Sequence, residues 1–337
     1  MRILSLDGGI AVALHLRRLR RLEALAPGFL AGVDLFVGTS DGALAAMFLA
    51  SRIGPDHGDN LRAVDAAADF FHDVLGVFRV TPATALRFAS GRGPRALAEA
   101  QRRVFAAHLG DETLGSLAAR GRRVLVLAID RSTWKRCVFA NLDPPADPSR
   151  SLVDLALACS AFPVVLPAHR SEADGRAYLD AALVTNNPSL VAVREALATA
   201  GGAVTLLSLG ATESAEQRSE GPAPGVLGWL PPALDRLGFQ GWGQLLARMV
   251  YLPDFLIQGS VDIVDLQCAE LLGPRYHRAR AVIPEIDWLA SIALPPERLR
   301  RRIDAAAEAD AAHDGAAVRW VRERWLVPAE GAGAAAG

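Results

Sequence analysis

The sequence predicts an α/β fold with a mostly parallel central sheet sandwiched by helices, and three observations carry that expectation. Two strand-like runs, Arg2 to Leu6 and Val33 to Val37, each end in a glycine-containing turn and pass directly into a helical pattern. Two later runs, Arg123 to Ile129 and Val204 to Leu209, are apolar without alternation, as strands buried on both faces are. Between them helical and strand-like segments alternate, which is how helices come to cover a parallel sheet.

Each element has a local reason. Arg2 to Leu6 closes on Asp7-Gly8-Gly9, after which Leu16, Leu19, Leu22 and Leu25 recur at three-residue spacing with Arg17, Arg18, Arg20 and Arg21 between them. This is an amphipathic helix with its arginines expected on a solvated face. The second strand closes on Gly38-Thr39-Ser40-Asp41-Gly42 and enters Ala43 to Leu49, a run of strong helix formers. A helix is expected from Leu152 to Cys159, then a short strand ending Tyr178-Leu179-Asp180. Another helix starts near Pro188, with Asn187 as its N-cap and proline at the first helical position. Glu213 to Pro224 is rich in Ser, Glu, Gly and Pro and reads as a loop. The following segment, Val226 to Ile257, gathers Trp229, Phe239, Trp242, Tyr251 and Phe255. Arg298 to Ala312 is helical by composition, and Ala329 to Gly337 contains only Ala, Gly and Glu, so disorder is expected there.

Composition narrows the function classes. With 36 Lys+Arg against 37 Asp+Glu, the net charge of −1 lacks the basic surplus that sequence-independent nucleic-acid binding needs. At 51% hydrophobic residues the chain buries a core and is not a disordered polymer. Cys137, Cys159 and Cys268 are widely spaced and odd in number, which suggests neither a disulfide framework nor a zinc site and favours a cytoplasmic setting. The strand-like start leaves no room for a signal peptide, and the longest apolar stretch, around Ala43 to Ala50, falls short of a bilayer span of roughly 20 residues. A soluble protein is expected, with peripheral membrane contact at most.

Gly38-Thr39-Ser40-Asp41-Gly42 fits G-x-S-x-G between a strand and a helix, the context of a nucleophile elbow. The flanking glycines let the strand and helix backbones pass closely, and the helix N-terminus faces developing negative charge. Asp7-Gly8-Gly9 offers backbone N–H groups at a strand end, which suits either an oxyanion hole or a plain strand-to-helix turn. Gly8-Gly9-Ile10-Ala11-Val12-Ala13 lacks the spacing of a dinucleotide loop. None of the seven histidines lies in a catalytic context, although Ser40, Asp180 and His277 follow the chain order of an α/β-hydrolase triad. Asp180, at a strand end before two small residues, reads as a turn residue or as a partner for Ser40.

Together these segments resemble the patatin-like phospholipases, lipid acyl hydrolases with a Ser–Asp dyad. The likeness rests on Leu4-Ser5-Leu6-Asp7-Gly8-Gly9, on the elbow Gly38 to Gly42, and on Ala158-Cys159-Ser160-Ala161-Phe162-Pro163 continuing to Leu166-Pro167-Ala168. It continues through Tyr178-Leu179-Asp180-Ala181-Ala182, Asn186-Asn187-Pro188, Leu206 to Gly210 and Ser260 to Asp265. The resemblance implies Ser40 as nucleophile, Asp180 as base, and an oxyanion hole from Gly8, Gly9 and Ile10. Where the family usually has D-G-G-G-x-R-G, this chain has Ile10, Val12 and Ala13, and Ala181 replaces the glycine that usually follows the aspartate. Ile10 still supplies an N–H unless its position demands φ > 0.

The resemblance further implies one domain over 1–325, with a catalytic core over about 1–210 and a C-terminal lid or pocket region over about 225–312. Residues 326–337 form a flexible tail in this scheme. The expected activity is hydrolysis of phospholipid or lysophospholipid carboxylic esters without a metal or nucleotide cofactor. Acyl transfer, a non-lipid ester or thioester substrate, and a lapsed lipid-binding protein are the alternatives.

Overall fold

The computed structural model describes residues 1–79, 81, 90–142, 147–163, 165–200, 203–213, 242–283 and 296–327. In chain order the N-terminal elements are β1 (Arg2–Leu6), α1 (Val12–Leu25), β2 (Leu35–Thr39), α2 (Asp41–Arg52), α3 (His57–Val77), α4 (Gly93–Leu109) and α5 (Leu114–Ala119). Next come β3 (Val124–Asp130), β4 (Lys135–Ala140), α6 (Leu152–Cys159), β5 (His169–Arg170), β6 (Ala177–Asp180), α7 (Ser189–Ala200) and β7 (Thr205–Glu213). The chain then adds α8 (Trp242–Leu272), β8 (Tyr276–Ile283), α9 (Pro296–Ala311) and α10 (Gly315–Trp320).

Eight strands form one mixed sheet in the order β5-β6-β3-β2-β1-β7-β8, with β4 also paired to β3. Its centre is parallel, from β3 through β2, β1 and β7 to β8, while β4, β5 and β6 add antiparallel pairs at one end. The sheet is therefore mostly parallel where the sequence placed its buried runs. Side chains alternate between two cores, as the pleat requires. Leu4, Leu6, Phe36, Val124, Val126 and Ala128 pack with α1, α2, α3 and α6 on one face. Ile3, Leu35, Val37, Leu125, Leu127 and Ile129 pack with α7 and the end of α8 on the other.

Arg20 of α1 is exposed as expected, but Arg17, Arg18 and Arg21 are drawn off the solvated face, which corrects the reading of that helix. Arg18 is buried and donates to Asp310 at 2.7 Å and Asp314 at 2.6 Å. Arg17 pairs with Asp304 at 2.7 Å, Arg21 with Asp314 at 2.5 Å, and Arg20 with Asp65 at 2.7 Å. Acidic residues of α9 and of the turn after it thus cover much of a helix face that looks exposed when only local spacing is read. Trp325 closes this side of the molecule: it is fully buried, 5.3 Å from the Phe29 ring, and its indole N–H donates to the Phe29 carbonyl.

Several boundaries agree closely with expectation. The helix Leu152–Cys159 is present, and Asn187 Oδ1 accepts from the Ser189 N–H at 3.0 Å at the entry to α7. The aromatic segment lies outside the described residues up to 241, and beyond that its backbone is helical from Trp242 through Ile257 as part of α8. Of the region expected to form a lid, β8 is a strand of the central sheet and α9 packs on α1. The loop after Glu213 and the tail from Ala329 lie outside the described residues. Among the described residues no helix is long and apolar enough to cross a membrane.

Candidate active site

The site forms where two strands meet end to end. On β3, residues Val124 to Leu127 pair with β2, and residues Ala128 to Asp130 pair with β6. Since β4 pairs with Leu125 to Asp130 and so occupies the opposite edge, β2 and β6 must share one edge of β3. β2 climbs to Thr39 opposite Leu127, and β6 descends to Asp180 opposite Ala128. The residue after Thr39 and the last residue of β6 therefore face one another. Ser40 Oγ donates a hydrogen bond to Asp180 Oδ2 at 2.5 Å.

Ser40 occupies a strained turn, with φ 53° and ψ −127°. A non-glycine residue there is uncommon and requires support from its surroundings. That support is the close passage of strand and helix: a Cβ on Gly38 would lie 2.2 Å from the Gly42 carbonyl oxygen, and one on Gly42 would lie 2.3 Å from the Leu6 carbonyl oxygen. Thr39 is fully buried as the last residue of β2. Asp41 begins α2, where a carboxylate is favoured by the helix dipole.

Electrostatics at this junction favour protonated carboxyls. Burial pushes Asp180 up to about 7, against the lowering effect of its bonds from Ser40 and from the Ala182 N–H, and nearby Asp41 pushes in the same upward direction. The Ala182 N–H reaches Asp180 Oδ1 at 2.8 Å, so both carboxyl oxygens have fixed donors. Burial also raises Asp41, to about 6.

Beside Ser40 lies the turn after β1. Gly9 takes the positive φ, 90°, whereas Ile10 does not, so the β-branched side chain stands where no left-handed backbone is required. Among the described residues, the N–H groups of Gly9 and Ile10 have no hydrogen-bond partner. Gly8 differs from them: its N–H donates to Asn186 Oδ1 at 3.2 Å, and a Cβ there would lie 2.8 Å from Ser40 Cβ. Of the three donors expected from the sequence, two are open and the third is engaged.

Two participants have roles that the sequence reading does not assign. Asn186 lies in the Asn186-Asn187-Pro188 turn, and only the folded chain brings it to Gly8. Arg278 of β8 grips Asp7, the residue before Gly8, and nothing near Arg278 in the sequence announces that partner. His277 stacks on Trp320 with ring centroids 5.4 Å apart, while the Ser40 hydroxyl bonds Asp180, so the triad order noted in the sequence describes no contact here. His15 is fully buried, and burial with two nearby arginines pushes it down to about 3, leaving a neutral imidazole.

An elbow serine bonded to a buried carboxylate, beside open backbone donors, is an arrangement suited to acyl-group chemistry. The family model for patatin-like phospholipases matches residues 4–193, and the chain belongs to that family. It is also similar to a cGAMP-activated phospholipase of Vibrio cholerae serotype O1, at 29% identity over 215 residues covering 58% of this chain and 57% of that protein. The chain thus spans little more than half the length of that relative. Among solved structures, VipD from Legionella pneumophila is similar at a TM-score of 0.38 and 12% identity, covering 90% of this chain and 66% of that one. The type III effector ExoU is similar at 0.37 and 11%, covering 97% and 53%.

Proposed function

We propose that this protein is a serine acyl hydrolase that cleaves phospholipid or lysophospholipid carboxylic esters through an acyl-enzyme on Ser40, with Asp180 as base. The observation that carries the reading is the 2.5 Å bond from the strained Ser40 hydroxyl to a carboxylate buried at the same sheet junction. Ser40 Oγ attacks the ester carbonyl as its proton passes to Asp180, and the N–H groups of Gly9 and Ile10 receive the developing oxyanion. Asp180 returns the proton to the departing alcohol. Water, deprotonated by the same carboxylate, then attacks the acyl carbonyl and releases the fatty acid. A base near 7 serves this cycle better than an ordinary carboxylate, because it accepts a proton more readily and gives it back near neutrality. The phospholipase relative supports a phospholipid substrate.

A fluorophosphonate probe followed by peptide mass spectrometry is expected to label Ser40 in the parent protein and not in Ser40→Ala. Labelled phospholipid, assayed with and without cGAMP because the relative is named for that activator, is expected to yield free fatty acid. Absence of both labelling and product would favour a lapsed lipid-binding protein. Labelling with product appearing only when an alcohol, amine or thiol acceptor is added would make the protein an acyltransferase.

A further inference from the structure

We propose that the tip of the hairpin between β3 and β4, residues 131–136, is a lipid-surface anchor that seats the catalytic edge of the sheet on an anionic bilayer. Its purpose rests on the reading of the protein as a lipid hydrolase, but its geometry does not. Trp134 is 74% exposed, more than any other large apolar side chain among the described residues. It is also, with Ser40, one of two non-glycine residues at positive φ there, at 57°. Glycine or asparagine fills such a turn position without strain. Here the position holds the side chain that favours the water–hydrocarbon boundary most, with its apolar body and polar N–H.

The turn is built to hold that presentation. Asp130 Oδ1 accepts from the Ser132 N–H at 2.7 Å and the Ser132 hydroxyl at 2.6 Å, and the Asp130 carbonyl accepts from the Trp134 N–H at 2.8 Å. Within three positions of Trp134 in the chain lie Arg131, Lys135 and Arg136, all exposed and without an ion pair among the described residues. Lys135 is the only lysine of the chain. The acidic groups nearby are occupied: Asp130 is buried and faces Arg176 at 3.6 Å, Asp174 accepts from Arg150 at 2.8 Å, and Glu172 faces Arg102 at 3.4 Å. The tip therefore carries three exposed cations and one exposed aromatic residue within six positions. Each such cation near an anionic leaflet strengthens binding about fivefold, so three contribute on the order of a hundredfold.

The dyad lies level with Ala128, and β3 continues in the same direction to the tip at Arg131, about 10 Å further at the ordinary strand rise. A phospholipid occupies a leaflet of about 20 Å, so one molecule can span the gap between a surface touching Trp134 and the Ser40 hydroxyl.

The test uses the full chain carrying Ser40→Ala, so that no lipid is consumed, in flotation with vesicles of phosphatidylcholine alone or with about 30% phosphatidylglycerol. Binding to the anionic vesicles is expected, falling about tenfold or more with Trp134→Ala and also with the triple change Arg131→Gln, Lys135→Gln, Arg136→Gln. In chains retaining Ser40, the same changes are expected to leave hydrolysis of a water-soluble p-nitrophenyl ester unaltered while reducing turnover of vesicle lipid. No flotation of the parent, equal flotation with Trp134→Ala, or self-association through Trp134 in sedimentation without vesicle binding would each overturn the proposal. Flotation that depends on Trp134 in a chain without esterase activity would refute the hydrolase reading and leave the anchor standing.

Discussion

Asp7 and Arg278 lie 271 positions apart in the chain and are joined by two hydrogen bonds, Nη1 to Oδ1 at 2.9 Å and Nη2 to Oδ2 at 2.5 Å. Arg278 Nη1 also donates to Ser208 Oγ at 2.6 Å, so the guanidinium ties β8 to β7 and to the end of β1 together. Burial opposes both charges, and the Asp7 carboxylate keeps Arg278 in its charged form. Removing one member of such a pair strands the other in the interior, at a cost of about 3–5 kcal/mol. Arg278→Met is therefore expected to shift the urea midpoint strongly, and adding Asp7→Asn should recover part of the loss. If the double variant were no more stable than Arg278→Met, the pair would not be the source of the effect.

As the proposed base, the Asp180 carboxyl is expected to link activity to stability in opposite senses. Its value of about 7 in the folded chain exceeds the ordinary 3.8, so ionisation is harder in the folded state than in the unfolded one. Stability from this group is full below pH 4 and declines as pH rises through 7, by about 1.4 kcal/mol per unit and about 4 kcal/mol overall. Asp180→Asn keeps an acceptor for the Ala182 N–H and removes the charge. It is expected to be inactive yet a few kcal/mol more stable than the parent at pH 8, with the difference vanishing near pH 4. Denaturant titrations at both pH values check this.

In the proposed mechanism the base acts in its ionised form, so kcat/KM for an ester is expected to rise with pH to a plateau above about 7. Asp41 contributes to that elevation, and Asp41→Asn should move the limb to lower pH without removing it. A limb unaffected by Asp41→Asn would show that the two carboxyls do not interact.

The elbow glycines separate crowding from conformation. Gly38→Ala and Gly42→Ala place a methyl 2.2–2.3 Å from backbone oxygens of α2 and β1 that cannot move away without separating the helix from the sheet, and a loss of about 3 kcal/mol or more is expected. Gly9→Ala meets nothing within 4 Å but must hold φ 90°, so a loss of about 1–2 kcal/mol is expected. Equal losses at the three positions would contradict this division.

Legibility in the sequence followed the range of the forces involved. Ser40 and its glycines stood out because a strand, a strained turn and a helix are encoded within a dozen residues. Asp180 was legible as a strand end, yet its pairing with Ser40 depends on β2 and β6 sharing one edge of β3, which no local pattern specifies. Arg17, Arg18 and Arg21 of α1 escape a local pattern for the same reason: their partners Asp304, Asp310 and Asp314 arrive from nearly 300 positions away. Trp134 was invisible as a feature because an aromatic residue in a polar turn differs from a core residue only once its exposure and backbone are known.

The turn after β1 gives the final prediction. Its departure from three consecutive glycines would disable the proposed oxyanion donors if Ile10 had to adopt a left-handed backbone, but the positive φ falls on Gly9 and the Ile10 N–H is open among the described residues. The isoleucine side chain is half-buried and packs against the core beneath α1, so it also anchors the turn. Ile10→Gly should then leave the donor where it is while loosening its support. The expected outcome is a kcat for a soluble ester that is unchanged or a few-fold lower, whereas loss of an oxyanion donor itself costs about 10²–10³. A tenfold gain on restoring glycine would mean that the side chain obstructs the acyl group, and the departure would then be a specificity feature of the pocket.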